Sequence, residues 1–108
     1  MQTFKFSQFG SDLGTRMLGE QVRNQLLPLI QAMPTGEKLI LDFQDVSVVA
    51  NSFADECLAK LLLDMTLKEL KERTTFSNTN EFVKKTIAVA IRRRQAVIEH
   101  PEDWPSLS

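Results

Sequence analysis

The sequence has few of the residues on which most catalytic and metal sites depend. Its 108 residues include one cysteine, Cys57, and one histidine, His100. A single cysteine excludes an internal disulfide, and a lone histidine leaves almost no material for a Cys-His pair, a Ser-His-Asp arrangement or a histidine metal site. The glycine motifs G-x-x-x-x-G-K-S/T and G-x-G-x-x-G do not occur. These shortages predict a protein that is not an enzyme and that uses no cofactor or metal.

The chain also lacks an excess of charge and a long apolar run. Lys and Arg total 13 against 14 Asp and Glu, so the formal net charge is -1. This balance gives no global electrostatic reason to expect binding to nucleic acid or to a membrane surface. No apolar run approaches the ~20 residues of a membrane span, and residues 1–10 do not have the pattern of a cleavable leader. We therefore expect a cytoplasmic domain.

Length and hydrophobic content predict a single domain. The 43% of hydrophobic residues can build one core, and 108 residues are too few for two. Residues 101–108 contain two prolines and few apolar side chains, which is typical of a flexible tail. The predicted division is a domain at 1–100 and a tail at 101–108. The sole tryptophan, Trp104, lies in that tail and leaves open a homodimer formed through it and the last helix.

The stretch from Leu39 to Leu63 organises the rest of the chain. Residues 39–41 are a continuous apolar run, which favours a strand covered on both faces, and Asp42 ends it. The β-branched valines within residues 46–49 favour an extended path after the turn. The next residues have the features of a helix start, so the sequence predicts that a helix follows.

The predicted helix starts at residues 51–56. Ser52 and Asp55 have the S-x-x-D spacing of a capping box, so Ser52 is the expected N-cap, and Asn51 can also cap. Asp55 and Glu56 meet the positive end of the helix. Adjacent residues on a helix point about 100° apart, so these two carboxylates do not form an acid-base pair facing one site. The apolar residues that follow recur with a helical period: Ala54, Cys57, Leu58, Leu61, Leu62 and Met65.

The remaining elements are predicted from local patterns. Thr3 to Phe9 alternates like a half-buried or edge strand, and Thr74 to Ser77 reads as the last strand. A first helix starts between Ser11 and Thr15, with a kink or break between Asn24 and Pro28 because proline interrupts helical hydrogen bonding. A T-x-x-E capping box predicts a short helix at 67–72, or a continuation of the preceding helix after a bend. Asn78 with Glu81 predicts a helix that reaches Ile98.

Strands joined by helices imply right-handed parallel crossovers. The predicted fold is a small α/β domain with a mostly parallel sheet of about three to five strands, packed against three main helices.

Three ordered motifs carry a resemblance to a known family. The motifs are GTR at residues 14–16, LDF-x-x-V followed by SFADE at residues 41–56, and FSNTNEFV at residues 76–83. In this respect the chain resembles the STAS-like domains of unknown function, of the DUF4325 type. It is more distantly similar to the STAS anti-anti-sigma factors of bacterial partner switching, in which a serine at the matching helix start is phosphorylated. The resemblance also implies that Arg16 pairs with Asp55, Glu56 or Asp42, and a solvated arginine is the alternative.

Ser52 has two open interpretations. As a helix cap it has a sufficient structural role, worth ~1 kcal/mol. As a phosphoserine it would place anionic oxygens on the free N–H groups of the helix start, close to the like charges of Asp55 and Glu56. Asn51, Phe53 and Ala54 depart from the residues that partner-switching regulators usually have beside this serine.

Two other features have ordinary structural explanations. Cys57 lies within the apolar stripe, where a buried, unreactive thiol is expected. The run Arg92 to Arg94 complements the negative end of a helix and is expected to be solvated, since no aromatic residues alternate with it.

Together these observations predict a non-catalytic protein-protein interaction module. The resemblance implies bacterial regulation by partner switching, with an anti-sigma-type kinase of histidine-kinase-like ATPase fold as the partner. The predicted partner-binding or regulatory residues are Arg16, Asn51, Ser52, Asp55 and Glu56. The alternative is a small-ligand or nucleotide-binding domain that uses the polar turn and helix start around Asp42, Asn51 and Ser52.

Overall fold

The apolar run at residues 39–41 forms the central strand of a parallel sheet in the computed structural model, which describes residues 2–100. The sheet contains β1 (Thr3–Lys5), β3 (Leu39–Asp42) and β5 (Thr74–Ser77) in the order β1-β3-β5. Both pairings of β3 are parallel. A second parallel sheet pairs β2 (Asp12–Leu13) with β4 (Val48–Val49). The predicted α/β class and the central position of residues 39–41 are confirmed.

Residues 2–100 contain four α-helices, three of them between strands and one after β5. They are α1 (Arg16–Gln31), α2 (Asn51–Cys57), α3 (Leu67–Arg73) and α4 (Glu81–Glu99). The predicted short helix at 67–72 is α3, and the other three are the predicted main helices. Two 3₁₀ helices, Phe6–Phe9 and Ala59–Leu63, complete the elements. The predicted strand from Thr3 to Phe9 is thus correct only for its first three residues. No helix within residues 2–100 is long and apolar enough to cross a membrane.

The first helix runs without a break through Pro28, which corrects the predicted interruption. Thr15 caps the helix by accepting a hydrogen bond from the Leu18 N–H. Val22 and Leu26 before the proline and Ile30 after it are all fully buried. Burial of large side chains at both ends of this segment offsets the hydrogen bond that proline cannot make.

One face of the three-stranded sheet is buried and the other is only partly covered. Phe4 and Leu41 share a row on the buried face. On the opposite face, Ile40 is half-buried and its neighbours Thr3 and Thr75 are exposed. The expectation of a strand covered on both faces is therefore wrong for Ile40, and the helices bury the sheet from one side.

The predicted apolar stripe after residue 53 is buried throughout, but it does not belong to one continuous helix. The α-helix ends at Cys57 and a tighter 3₁₀ turn carries Ala59, Leu61 and Leu62 into the core. Because α2 packs against both α1 and α4, more than one of its faces is buried. A stripe drawn for one face therefore underestimates the burial of this segment.

Local capping signals predict the two later helices well. Thr66 and Glu69 form the predicted capping box at the start of α3. The cap of α4 is Asn80 rather than Asn78, since the Asn80 side chain accepts from the Val83 N–H at 2.8 Å. Asn78 has a positive φ of 56° and lies in the turn before the helix. The predicted tail at 101–108, including Trp104, lies outside the described residues.

A pair of leucines tests the core assignment. We expect Leu61→Ala to lower the free energy of unfolding by about 2 kcal/mol or more, because Leu61 is fully buried and its removal leaves a cavity. Leu63→Ala is the matched control in the same 3₁₀ helix, since Leu63 is 62% exposed, and it should change stability by less than about 0.5 kcal/mol. Urea denaturation of both variants measures the difference, and equal losses would contradict the assignment.

Candidate functional site

The start of α2 is built by strand pairing and not by a side-chain cap. The Ala50 N–H donates to the Leu13 carbonyl at 2.9 Å, which continues the β2-β4 ladder and keeps Ala50 extended. The Ala50 carbonyl then accepts the first helical hydrogen bond, from Ala54. Ala50 is therefore the N-cap, and the prediction that Ser52 caps the helix is wrong.

Ser52 makes a different contact, to the loop before α1. Its Oγ donates to the Gly14 carbonyl at 3.4 Å, and its side chain is half-buried. Asn51, at the first helical position, is exposed. These two polar residues thus lie beside the Gly14 to Arg16 segment, at the entrance to α1.

Asp55 is held by two arginines from different helices. Arg94 of α4 places Nη2 at 2.9 and 2.8 Å from the two carboxylate oxygens of Asp55, and Arg16 of α1 places Nη1 at 2.9 Å. The Asp55 side chain is 21% exposed, and that of Arg94 is 15% exposed. The expectation that residues 92–94 are all solvated is therefore wrong for Arg94, whereas Arg92 and Arg93 are exposed.

Glu56 is buried and is surrounded by three cations. Arg23 lies 2.8 Å from its carboxylate, Lys60 lies 3.0 Å away and Arg16 lies 3.3 Å away. Arg23 also donates to the Glu56 backbone carbonyl. Because the Glu56 side chain is only 8% exposed, the expectation that it is available to a partner is wrong.

These contacts join into one network that we call the carboxylate cluster. A single nitrogen, Arg16 Nη1, reaches both carboxylates, so Asp55 and Glu56 do meet at one point although they are adjacent on the helix. The pairing of Arg16 implied by the resemblance is present with two of its three proposed partners. The members of the carboxylate cluster are Arg16, Arg23, Asp55, Glu56, Lys60 and Arg94.

The cations keep both carboxylates ionised. Burial acts to raise the pKa of Glu56, but hydrogen bonds from Arg23 and Lys60 outweigh it and lower the pKa from 4.5 to about 2. Burial likewise opposes ionisation of Asp55, and hydrogen bonds from Arg16 and Arg94 lower its pKa. Neither group is suited to act as a general acid near neutral pH.

A glycine allows α1 to approach the carboxylate cluster. A Cβ built on Gly19 would lie 2.9 Å from Glu56 Cβ and 3.1 Å from the Phe53 carbonyl oxygen. Contacts this short require the helices to move apart. Gly19 therefore sets the spacing at which Arg16 and Arg23 of α1 reach the carboxylates of α2.

Replacing this glycine tests the close approach. We expect Gly19→Ala to lower the free energy of unfolding by about 1 to 2 kcal/mol, because the overpacking outweighs the gain of up to about 1 kcal/mol in helix propensity. Gly14→Ala is the control, since its nearest neighbour would be 3.7 Å away, an ordinary contact. Chemical denaturation gives both values, and a stabilised Gly19→Ala variant would mean that the helices separate freely.

Cys57 follows the carboxylates and is not part of a reactive site. It is fully buried, and that burial raises the pKa of its thiol to about 12. A thiol of this kind is protonated at neutral pH and is a weak nucleophile. Within residues 2–100, no group of three or more His, Cys, Asp or Glu is placed to hold a metal ion.

Asp42 belongs to a separate polar group at the end of β3. Its carboxylate accepts hydrogen bonds from the Asn78 side chain at 3.0 Å and from the Gln44 N–H at 2.9 Å. These two bonds lower its pKa. No hydrogen bond within residues 2–100 joins Asp42 to Asn51 or Ser52, so the three residues of the predicted ligand site are not linked in this structure. Binding of a small ligand there stays a prediction.

Sequence reasoning missed three members of the carboxylate cluster. Lys60 lies four residues after Glu56, a spacing at which ion pairs form on a helix, so its role had a readable signal. Arg23 lies seven residues after Arg16 and thus on the same face of α1, which is a weaker signal. Arg94 comes from a helix 39 residues distant from Asp55 and had no signal in the local pattern.

Comparison with known proteins yields one family match. The model of a family described as STAS-like domain of unknown function (DUF4325) matches residues 19–84. The matched residues include β3, α2, α3 and β5 and therefore both carboxylates of the cluster, whereas Arg16 and Arg94 lie outside them. No curated protein and no solved structure gives a significant match.

Proposed function

Because the chain belongs to the family of STAS-like domains of unknown function, we propose that it is a non-catalytic protein-protein interaction module. The surface that binds the partner is the α2-start surface, which we define as Arg16, Asn51, Ser52 and Asp55. The partner is a regulatory protein of the bacterial cytoplasm, with an anti-sigma-type kinase of histidine-kinase-like ATPase fold as the first candidate. Charge at Ser52, introduced by phosphorylation, controls this binding.

One observation carries the proposal: Arg16 is both fixed and exposed. Its side chain is 56% exposed, yet both of its hydrogen bonds to carboxylates use Nη1. Within residues 2–100, Nη2 and Nε of Arg16 make no hydrogen bond, so both can donate to an acceptor on a partner. A guanidinium already held in place loses little conformational entropy on binding. Arginine is also enriched among the residues that dominate interface energies.

The surroundings of Arg16 support an interface at this surface. Met17, the next residue along α1, is 73% exposed and offers an apolar contact beside the Arg16 guanidinium. The contact between Ser52 and Gly14 ties α2 to the loop that leads into Arg16. A negative group at Ser52 would therefore change the potential close to the exposed guanidinium, and partner affinity would respond.

The test separates binding from folding. We expect Arg16→Ala and Ser52→Asp each to lower partner affinity at least about tenfold while the free energy of unfolding changes by less than about 1 kcal/mol, because Arg16 is mostly exposed and the half-buried Ser52 does not cap the helix. The partner is first recovered from lysate of the source cell with the wild-type chain and identified by mass spectrometry. Its dissociation constant for each purified variant is then measured by calorimetry.

Two matched controls accompany these variants. Arg93→Ala removes an exposed arginine from α4, and Ser47→Asp adds a charge at another exposed serine. Both should bind the partner like the wild type. Equal affinity of all five proteins would remove the α2-start surface from the interaction. Thermal shift with nucleotides would then test the ligand-binding alternative, since a ligand at 100 times its dissociation constant adds ~2.7 kcal/mol.

A further inference from the structure

We propose that the open edge of β5 is a second binding surface, which takes up an extended acidic segment of a partner protein as an additional strand of the sheet. This inference concerns the side of the domain formed by β5, α3 and α4. It does not depend on the α2-start surface, and the two can succeed or fail separately.

The backbone of β5 is paired on one side only. Its neighbour is β3, and the strand order β1-β3-β5 leaves the other side of β5 without a strand within residues 2–100. The Ser77 carbonyl accepts from the Phe43 N–H at 3.0 Å, so Ser77 points its backbone groups toward β3. Since these groups alternate along a strand, the N–H and carbonyl of Phe76 point to the open edge. They are positioned to pair with an incoming strand.

The edge strand β5 is only four residues long, but it lacks three common protections against strand addition: a lysine, a proline and a bulge. Edge strands are commonly shielded by proline, lysine or an irregular bulge. The sequence of β5 is Thr-Thr-Phe-Ser, with no charge and no proline, and it pairs in regular register with β3 over all four residues. By contrast, β1 at the other edge of the sheet ends in Lys5. An edge without these three features is open to pairing with a short added strand.

A groove runs along this edge and supplies apolar contacts. It has a volume of about 910 Å³ and lies between β5, α3 and α4. Its floor contains the buried side chains of Leu70 and Ile87, and Ile91 is half-buried in its wall. Phe76 borders it with 43% of its surface exposed. Apolar side chains of an added strand would cover these groups.

The register of the sheet determines which side chains enter the groove. In the row containing Phe76, side chains lie on the same face as the buried Leu41, the face on which the helices pack. Side chains in the row that contains Thr75 and Ile40 lie on the exposed face. Alternate residues of an added strand follow the same division. The segment that fits is therefore apolar at every second position and polar between.

Charge selects an acidic segment. Lys71, Lys84 and Arg92 line the groove, and no carboxylate side chain from residues 2–100 lines it. None of these three cations forms an ion pair within the described part of the chain. Pairing β5 with the same strand of a second copy would bring two such sets of cations together, which opposes a homodimer at this edge. Acidic residues flanking the apolar positions complement the groove.

Peptide selection tests the proposal directly. A phage-displayed library of random dodecapeptides is selected against the full chain, and the most enriched sequence is synthesised. We expect enriched sequences with alternating apolar residues, flanking Asp or Glu and no central proline. The Phe76 amide should exchange its hydrogen at least about tenfold more slowly with the peptide bound, as measured by NMR. An enriched set with helical spacing, no enrichment, or an unchanged Phe76 amide would overturn the proposal.

The control uses neighbouring residues of the same helix. The double variant Lys84→Glu/Arg92→Glu reverses two charges in the groove and should weaken peptide binding at least about tenfold. Lys85→Glu/Arg93→Glu makes the same change in net charge at exposed positions outside the groove and should have less than a twofold effect. Equal effects of the two would overturn the proposal. Doubling of the mass in solution through β5 would also overturn it, because a second copy would then occupy the edge. Tenfold tighter peptide binding after deletion of residues 101–108 would do the same, because those residues would then compete with the peptide for the edge.

Discussion

Replacing Glu56 by alanine is expected to lower the free energy of unfolding by about 3 to 5 kcal/mol. The substitution removes the carboxylate that forms ion pairs with Arg23, Lys60 and Arg16. Arg23 is only 18% exposed and would be left with an uncompensated charge in a largely dry environment. Removing one partner of a buried ion pair typically has a cost of this size. Urea denaturation followed by circular dichroism measures it.

The matched control is Glu20→Ala. Glu20 is an exposed carboxylate on α1, three residues before Arg23, and it makes no ion pair within residues 2–100. Its loss should change stability by less than about 0.5 kcal/mol. If both variants lost the same small amount, the cations around Glu56 would be adequately solvated and the carboxylate cluster would have little structural importance.

The expected loss arises because Glu56 joins separate elements. Its carboxylate contacts Arg16 and Arg23 on α1 and Lys60 on the following 3₁₀ helix. Gly19 permits the approach that makes the first two contacts possible. We infer that the pairing of charges fixes how α1 lies on α2. This position in turn determines where Arg16 emerges at the surface.

Local signals account for the parts of the fold that the sequence predicted well. The strand at 74–77 is bounded as predicted, and residues 39–41 form the central strand, because an apolar or β-prone run between turn residues has few alternatives. The Thr66–Glu69 capping box is equally local, since all its hydrogen bonds lie within four residues. Such features need no knowledge of the rest of the chain.

The errors at the candidate site come from tertiary structure. Ser52 has the spacing of a cap, but pairing between the two-residue strands β2 and β4 holds Ala50 extended and starts the helix two residues earlier. Strands this short have no pattern of their own that a sequence can show. The cap of α2 was therefore decided by a contact between residues 13 and 50, which capping rules do not consider.

Glu56 was misplaced for a related reason. On a helical projection it lies off the apolar stripe, and charged residues there are usually solvated. The structure packs α2 between α1 and α4, so a position outside the stripe is also buried. The cations Arg16 and Arg23 of α1, together with Lys60, make that burial tolerable for a carboxylate, and the approach of α1 depends on Gly19. A prediction that treats each helix as having one buried face cannot anticipate this arrangement.

The two adjacent carboxylates thus have different tasks. Glu56 is the buried anchor, and Asp55, with 21% of its side chain exposed, meets Arg16 at the surface. A change at the surface, such as a charge at Ser52, can alter the surroundings of Arg16 while Glu56 keeps the helices together. This separation would allow the proposed interaction surface to be regulated without unfolding the domain. It is the reason that Ser52→Asp is expected to act on binding and Glu56→Ala on stability.

Acidification should remove much of the stability that Glu56 contributes. The pKa of Glu56 is lowered from 4.5 to about 2 in the folded chain. Its contribution is therefore fully present above about pH 4.5 and is lost as the pH falls through about 2. At 1.36 kcal/mol for each pKa unit, this shift corresponds to about 3 kcal/mol. The lowered pKa values of Asp42 and Asp55 act in the same direction, so the wild type alone does not isolate the effect of Glu56.

The variant Glu56→Gln isolates it, because glutamine preserves the shape of the side chain and has no ionisable group. Urea denaturation at intervals from pH 6 to pH 2 should show the wild type more stable above pH 5 and the difference shrinking by about 3 kcal/mol toward pH 2. Asp42 and Asp55 remain in both proteins, so their contributions cancel in the difference. Parallel stability curves for the two proteins would mean that Glu56 has an ordinary pKa, and that its carboxylate is not held by Arg23 and Lys60 in solution.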